Sequence, residues 1–156
     1  MNAVLSDRLP GLRVLREADL PAVLEIEGRA YDFPWSEGVF RDCLNAGHVM
    51  RVLEEDDALT GYGVMSVGAG ESHLLNLCIE PACQGRGLGR YLLGELLAIA
   101  RHHRARIAFL EMRVSNRRAY RLYQDMGFNE IGTRRGYYPA GEDRREDAWV
   151  LAKVLG

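Results

Sequence analysis

Seven consecutive residues, Gln84-Gly85-Arg86-Gly87-Leu88-Gly89-Arg90, carry the strongest chemical signal in the sequence. They follow a run that is apolar on both faces and precede an apolar-periodic segment, so they read as a loop between a buried strand and a helix. Glycines at alternate positions let the backbone turn sharply and let N–H groups approach an anion without Cβ atoms between. A helix N-terminus contributes about half a positive charge and several unpaired donors. Arg86 and Arg90 can add full charges to the same anion. A P-loop needs Gly-x-x-x-x-Gly-Lys-Ser/Thr, and the chain has no such string. A dinucleotide fingerprint needs glycine where Arg90 stands, in a unit opening the fold rather than one past its middle. A turn that merely packs a helix against a strand explains one or two glycines, not three with two arginines.

Two further residues have types and positions suited to proton transfer. Glu111 interrupts an apolar strand, Phe109-Leu110-Glu111-Met112, where a carboxylate is costly to bury unless it has a partner, such as a nearby arginine, or a task. Tyr123 follows Asn116 by seven residues, two helical turns, so both project from a similar face. A phenol titrating near 10 stays protonated at neutral pH and can donate; packing beside Leu122 is the simpler use of the same ring. Cys78 and Cys83 do not have the spacing of a zinc pair, and His102 and His103 point to different helix faces, so no metal site is expected. Cys78 reads as a packing residue of the central strand rather than a nucleophile.

The elements that must position these groups are legible from periodicity and punctuation. Leu12 to Arg16 alternates as a first strand. Asp19 is placed to cap a helix with Pro21 in its first turn, and Leu20, Val23, Leu24 and Ile26 to Glu27 supply the apolar face. Phe33-Pro34-Trp35 breaks that helix, and Ser36 opens another with Val39, Phe40, Cys43 and Leu44 at helical spacing. Strands follow at His48 to Glu54 and Leu59 to Val67, with the acidic run Glu54 to Asp57 as a solvated hairpin. Leu74 to Ile79 reads as a central strand covered on both faces and ended by Pro81. A long helix runs from Gly87 to Arg104, then a strand from Ile107 to Val114. Ser115 or Asn116 caps a helix that stops at Gly127, and Phe128 to Tyr138 and Ala148 to Val154 close the chain as strands. The order β-α-α-β-β-β-α-β-α-β-β defines an α/β (α+β) class: one mixed, mostly antiparallel sheet with helices on both faces.

The bulk properties fit one such domain. The chain has 156 residues, 47% hydrophobic and 27% charged, with a formal net charge of -2. That length buries enough surface to need no disulfide or metal. The near-neutral charge argues against nucleic-acid binding through an overall positive field. Three cysteines, Cys43, Cys78 and Cys83, suit a reducing compartment. No signal-peptide pattern or run of about 18 apolar residues is present, which makes a cytoplasmic, membrane-free protein the default expectation. Residues 1–11 form an uninterpreted extension to a domain spanning 12–156.

The loop Gln84 to Gly89 matches the Gln/Arg-x-x-Gly-x-Gly/Ala motif of the GNAT superfamily of N-acetyltransferases. Phe33-Pro34-Trp35-Ser36, Leu110 to Asn116, Leu122-Tyr123 with Gly127-Phe128, and Tyr137-Tyr138-Pro139 with Arg145 to Ala148 follow in order. Together they resemble the RimI type, the bacterial ribosomal-protein-alanine N-acetyltransferases, from about Leu12 to Lys153. The resemblance implies the GNAT fold and acetyl-CoA as cosubstrate, with no metal. It implies a pyrophosphate on the N–H groups of Gly85, Arg86, Gly87, Leu88, Gly89 and Arg90. It further implies a pantetheine arm along Leu77, Cys78 and Ile79, an oxyanion donor at the Ile79 N–H, and a coenzyme contact at Asn116, which can also be an ordinary N-cap. It favours Glu111 as the base, acting through a water, and Tyr123 as the acid toward the leaving thiolate.

Tyr31, Phe33, Trp35, Tyr137 and Tyr138 flank two loops and would line a groove for a peptide end, with Arg145, Glu146 and Asp147 supplying charge. The implied partner is a ribosomal-protein N-terminus beginning with alanine, without direct nucleic-acid or membrane contact. Other protein N-termini, lysine side chains or a small amine stay open as acceptors, as does a non-catalytic coenzyme A-binding module.

Overall fold

The computed structural model describes residues 10–156. Residues 1–9 of the extension lie outside the described residues, and Gly11 already belongs to the sheet. Among the described residues are seven strands: β1 (Gly11–Val14), β2 (Val49–Glu55), β3 (Ala58–Gly68), β4 (Glu71–Ile79), β5 (Ile107–Arg113), β6 (Asn129–Pro139) and β7 (Arg145–Val154). They form one sheet in the order β1-β2-β3-β4-β5-β7-β6. Every neighbouring pair is antiparallel except β4 and β5. Four helices cover it: α1 (Leu20–Ala30), α2 (Glu37–Asn45), α3 (Leu88–His102) and α4 (Arg117–Asp125). The expected element order and architecture hold, with ends moved by a few residues.

The helices divide the core in two. α1 buries Leu20, Val23 and Ile26, and α2 buries Phe40 and Cys43, all against Val52, Tyr62, Val64 and Cys78 of the sheet. α3 buries Leu88, Leu92, Leu93, Leu96, Leu97 and Ala100 on the opposite face, with Tyr123 of α4 beside them. At about 1.5–3 kcal/mol per buried leucine, α3 is the strongest anchor of that layer.

Two local expectations need correcting. Asp19 does not cap α1 with its side chain. Its carboxylate accepts both Arg13 terminal nitrogens (2.8 and 2.7 Å) and the Arg16 N–H (2.8 Å), closing a 3-10 turn over Glu17–Asp19 instead. The acidic run is only partly a solvated hairpin. Asp56 and Asp57 make the turn at positive φ, which short Asp side chains tolerate. Glu54 and Glu55 instead hold Arg13 at 2.9 Å and Arg86 at 2.7 Å.

One irregularity matters for function. Val64 pairs with Asn76, but the next β3 residue, Met65, pairs with Leu74. Leu75 is therefore an extra residue, a β-bulge, and such insertions bend the strand that carries them. Before the bulge Leu74 joins the core under α3; after it Cys78 joins the core under α1 and α2. The parallel pairing of β4 with β5 stops at Leu74↔Leu110. β5 continues with β7 as far as Arg113↔Ala148, and β4 continues with β3 as far as Ile79↔Gly61. The sheet thus opens between the second half of β4 and the end of β5.

Candidate active site

The opening exposes main chain that a closed sheet would consume. The Glu80 N–H reaches Thr60 O at 2.8 Å, which makes Glu80 and, two residues back, Cys78 hydrogen-bonded partners of β3. Leu77 and Ile79, alternating with them, turn their peptide groups toward the opening. Their carbonyls already have partners there: Tyr31 Oη donates to Leu77 O at 2.7 Å and Gln84 Nε2 to Ile79 O at 3.2 Å. Cys78 packs in the strand as expected and borders the cavity over the glycine loop beside Leu77 and Ile79. Its backbone is committed to β3, its side chain is 3% exposed in the core, and burial pushes the thiol up to about 11. A buried, protonated thiol is no nucleophile.

Below the opening, the glycine loop builds a donor cluster. Gly85 and Gly87 sit at φ +83 and +80, the left-handed region that disfavours side chains. Gly87 is the N-cap of α3 and offers no side chain, and the first main-chain bond of the helix is Tyr91 N–H to Gly87 O at 3.0 Å. The N–H groups of Leu88, Gly89 and Arg90 therefore have no partner within the helix. Leu88 participates only through this main chain, since its side chain is buried in the core. A cavity of about 490 Å³ runs over this loop, lined by Leu77, Ile79, Gly85, Gly87, Arg90 and Arg118 among others. Arg90 is held at 3.2 Å by Asp125. Arg86 faces away, paired with Glu55 at 2.7 Å, and does not line this cavity. Arg118, which the sequence reading missed, lines it and donates to Gln84 Oε1 at 2.8 Å.

A second cavity, about 680 Å³, lies on the other side of the opening. Its wall includes Tyr31, Phe33 and Trp35 from the α1–α2 connection, Glu111 and Arg113 from β5, and Tyr138 from β6. The two cavities share Ala30, Tyr31, Leu77, Asn116, Ala119 and Tyr123. Asn116 caps α4, its Oδ1 accepting the Ala119 N–H at 3.1 Å, so the cap and the cavity wall are one residue. Tyr123 is buried against Phe128 with ring centroids 5.8 Å apart, and burial raises its phenol well above the ordinary value. The hydroxyl stays protonated throughout the neutral range.

Glu111 does have partners, though none is an arginine. His73 Nε2 lies 2.7 Å from Oε2 and Tyr137 Oη 3.4 Å from Oε1. Tyr137 is 44% exposed and does not line this second cavity, contrary to expectation. Its ring stacks edge-on against Tyr138 at 4.9 Å, so it buttresses the wall from behind. Burial raises the Tyr138 phenol to about 12. The charges expected from Arg145 and Asp147 are also spent elsewhere: Arg145 donates to Gly136 O and Tyr137 O, and Asp147 accepts the Gly136 N–H. These bonds hold the irregular part of β6 where its register against β7 slips.

Two residues given no role at this site by the sequence, Arg113 and Glu27, shape this cavity. Arg113 stacks on Phe33 (5.2 Å) and Tyr138 (4.5 Å) and pairs with Glu146 at 3.0 Å, clamping the two aromatic walls together. Hydrogen bonding from Ser115, then from Arg113, holds the Glu146 carboxyl below its usual range. Glu27, 2% exposed, accepts Tyr62 Oη at 2.5 Å, Asn76 Nδ2 at 3.0 Å and the Trp35 N–H at 2.8 Å. It ties α1 to the bulged strand and to the loop that carries the aromatic wall. A carboxylate on an apolar helix face was the available signal, the same one that drew attention to Glu111. His73 had none.

An opened parallel pair, with a donor-rich glycine loop on one side and an aromatic-walled cavity on the other, is the architecture of a coenzyme A-dependent acyltransferase. The chain belongs to the acetyltransferase (GNAT) family, whose pattern matches residues 13–128, and it is an N-acetyltransferase. It is 38% identical over 141 residues to the [ribosomal protein bS18]-alanine N-acetyltransferase of Salmonella typhimurium, covering 90% of this chain and 95% of that one. The crystal structure of the Escherichia coli ribosomal-protein-S18-alanine N-acetyltransferase superposes with a TM-score of 0.88 at 35% identity, covering 95% of each chain. The fold is also that of yncA from Salmonella typhimurium, solved with its cofactor acetyl-CoA, at a TM-score of 0.78 and 22% identity over 96% of this chain and 95% of that one. Among the described residues no helix is long and apolar enough to cross a membrane, and no group of three or more potential ligands could hold a metal ion.

Proposed function

We propose that the chain transfers the acetyl group of acetyl-CoA to the α-amine of an N-terminal alanine on a small-subunit ribosomal protein, in the cytoplasm. The observation that carries this reading is the meeting of the two cavities at Tyr31, Leu77, Asn116 and Tyr123. One cavity suits an elongated phosphorylated cosubstrate, the other a chain end, and they join where the opened strand offers main-chain donors. The relatives that share most of the chain act on such an alanine, as their names say.

In this mechanism the unpaired N–H groups from Gly85 to Arg90 hold the pyrophosphate, with Arg90 and Arg118 on the rim. Arg86 joins only by releasing Glu55. Leu77 and Ile79 lie along the pantetheine arm, and the Ile79 N–H faces the acetyl carbonyl as an oxyanion donor. Asn116 contacts the coenzyme where the cavities meet. Glu111 takes one proton of the incoming ammonium through a water, and the amine nitrogen attacks the thioester carbonyl; as the C–S bond breaks, Tyr123 donates its hydroxyl proton to the departing sulfur, and the second proton released from the nitrogen returns through water to the phenolate. Tyr31, Phe33, Trp35 and Tyr138 enclose the first residues of the acceptor, with Tyr137 behind them. Recognition is thus of a protein N-terminus, without direct contact to nucleic acid or membrane.

Energetics favour an α-amine. Deprotonating one with a pKa near 8 costs about 1 kcal/mol at pH 7, against about 4–5 kcal/mol for a lysine near 10.4. A carboxylate and a water suffice more readily for the first. The test is a steady-state assay with acetyl-CoA and peptides differing only in residue one, with free or blocked α-amine. Alanine peptides with a free amine should be preferred; preference for a blocked peptide with a free lysine would overturn the assignment.

A further inference from the structure

We infer that His73 is a positioning residue for the base: it holds one oxygen of Glu111 so that the other faces the acceptor, and it couples the strength of the base to solvent protons. The inference rests on the reading of Glu111 as the base. It goes beyond that reading because neither the fold nor the transfer chemistry calls for an imidazole at this place on β4.

The geometry is specific. His73 Nε2 and Glu111 Oε2 are 2.7 Å apart, a charge-assisted distance that requires a proton between them. Two facing lone pairs would repel, so a proton lies between them; with Glu111 ionised, as a base must be, Nε2 carries that hydrogen and Nδ1 is the other ring nitrogen. The Tyr137 contact to Oε1, at 3.4 Å, is long and weak by comparison. The histidine therefore dominates the orientation of the carboxylate, and Oε1 is the oxygen free to take a proton. His73 stands opposite Phe109, one residue before β4 and β5 part, so it braces the carboxylate from the closed part of the sheet. The pair also bridges two environments, with the His73 side chain 39% exposed and that of Glu111 only 9%.

The ionisable groups around the pair are few. The sheet neighbours of His73, Ser66 on β3 and Phe109 on β5, are not ionisable. β6 presents Tyr137 and Tyr138, β5 presents Arg113, and Glu27, Asp32 and Glu146 line the same cavity. Among these side-chain types only an imidazole ordinarily changes charge between about pH 5 and 8. Protonation of Nδ1 puts a positive charge beside Glu111 and lowers its affinity for a proton. The same charge repels the ammonium of the acceptor. The proton taken from the acceptor rests on Oε1 and leaves to water, while His73 keeps its own Nε2 hydrogen.

The experiment compares wild type, His73→Gln, His73→Leu and Glu111→Gln, using acetyl-CoA and an alanine-initiated peptide from about pH 5.5 to 9, which spans the imidazole range. Acetyl-CoA affinity serves as the control for folding. His73→Leu should lower kcat about ten- to a hundredfold with coenzyme affinity unchanged, the loss expected for a hydrogen bond to a charged group. His73→Gln keeps an N–H donor without a titrating ring, so it should recover most of the activity at high pH and lose less toward acid than wild type. A purely structural histidine would give wild-type and His73→Gln profiles of the same shape, and that result overturns the inference, as does full activity in His73→Leu. If the leucine variant fails to fold, the two profiles alone decide. Full activity in Glu111→Gln would show instead that the base itself is misassigned.

Discussion

Replacing Tyr123 by phenylalanine separates chemistry from packing. The ring is 8% exposed and meets Phe128 edge-on at 5.8 Å, contacts that phenylalanine reproduces. The hydroxyl makes no hydrogen bond to another described residue and is not among the buried atoms left without a partner, so it faces the junction of the cavities. Stability should therefore change by no more than about 0.5 kcal/mol, roughly 2 °C in melting temperature for a domain of this size. The effect on rate is of another order. A positioned general acid contributes about 10²- to 10⁴-fold. The leaving thiol titrates near 8.5, so its thiolate departs tolerably without full protonation, which places the loss at about a hundredfold. Because burial raises the phenol, no fall in activity from its ionisation is expected on the alkaline side up to about pH 10. Steady-state kcat with an alanine-initiated peptide, acetyl-CoA affinity by calorimetry, and a thermal melt make the assay. Equal losses in turnover and coenzyme affinity, or a melt lowered by more than about 5 °C, would refute the acid role and leave Tyr123 a packing residue.

Other perturbations test other parts of the site. Gly87→Ala meets no neighbour within 4 Å but must hold φ +80, so about 1–2 kcal/mol of backbone strain should weaken acetyl-CoA binding and lower the melt by several degrees. Glu27→Ala strands Tyr62 Oη, Asn76 Nδ2 and the Trp35 N–H; about 3 kcal/mol or more of stability should be lost, seen as a lower denaturant midpoint, with a raised peptide KM as the aromatic loop loosens. Arg13 hydrogen bonds lower the carboxyl pKa of both Asp19 and Glu54. Their contribution is present above the ordinary carboxylate range and is lost as pH falls through the depressed values. An Arg13→Leu variant should accordingly lose stability at neutral pH and show a flatter acid-denaturation curve, read by circular dichroism.

Much of this site was legible in the chain. The glycine loop reads from types and spacing because its physics is local: a turn at positive φ and an uncapped helix start need only neighbouring residues. Asn116 at the head of α4, and Tyr123 two turns on, follow from helix periodicity for the same reason. Partners across the sheet were not legible. Nothing near His73 in sequence points to Glu111, thirty-eight residues away. Arg86 and Arg118 look alike as exposed arginines beside helix starts, yet one is drawn off by Glu55 and the other lines the cavity over the glycine loop. Tyr137 and Tyr138 are adjacent, and strand alternation sends one into the cavity wall and the other behind it.

By itself the sequence determined the order of elements, the glycine loop at a helix start, and the presence of a carboxylate and a phenol that could move protons. Those properties depend on side-chain periodicity and backbone freedom over a few residues. The tertiary structure brought these pieces around two joined cavities. The extra residue at Leu75 bends β4 away from β5, freeing the peptide groups of Leu77 and Ile79 that an unbroken sheet would have paired. A register slip is a relation between strands, and no single segment of the chain encodes it.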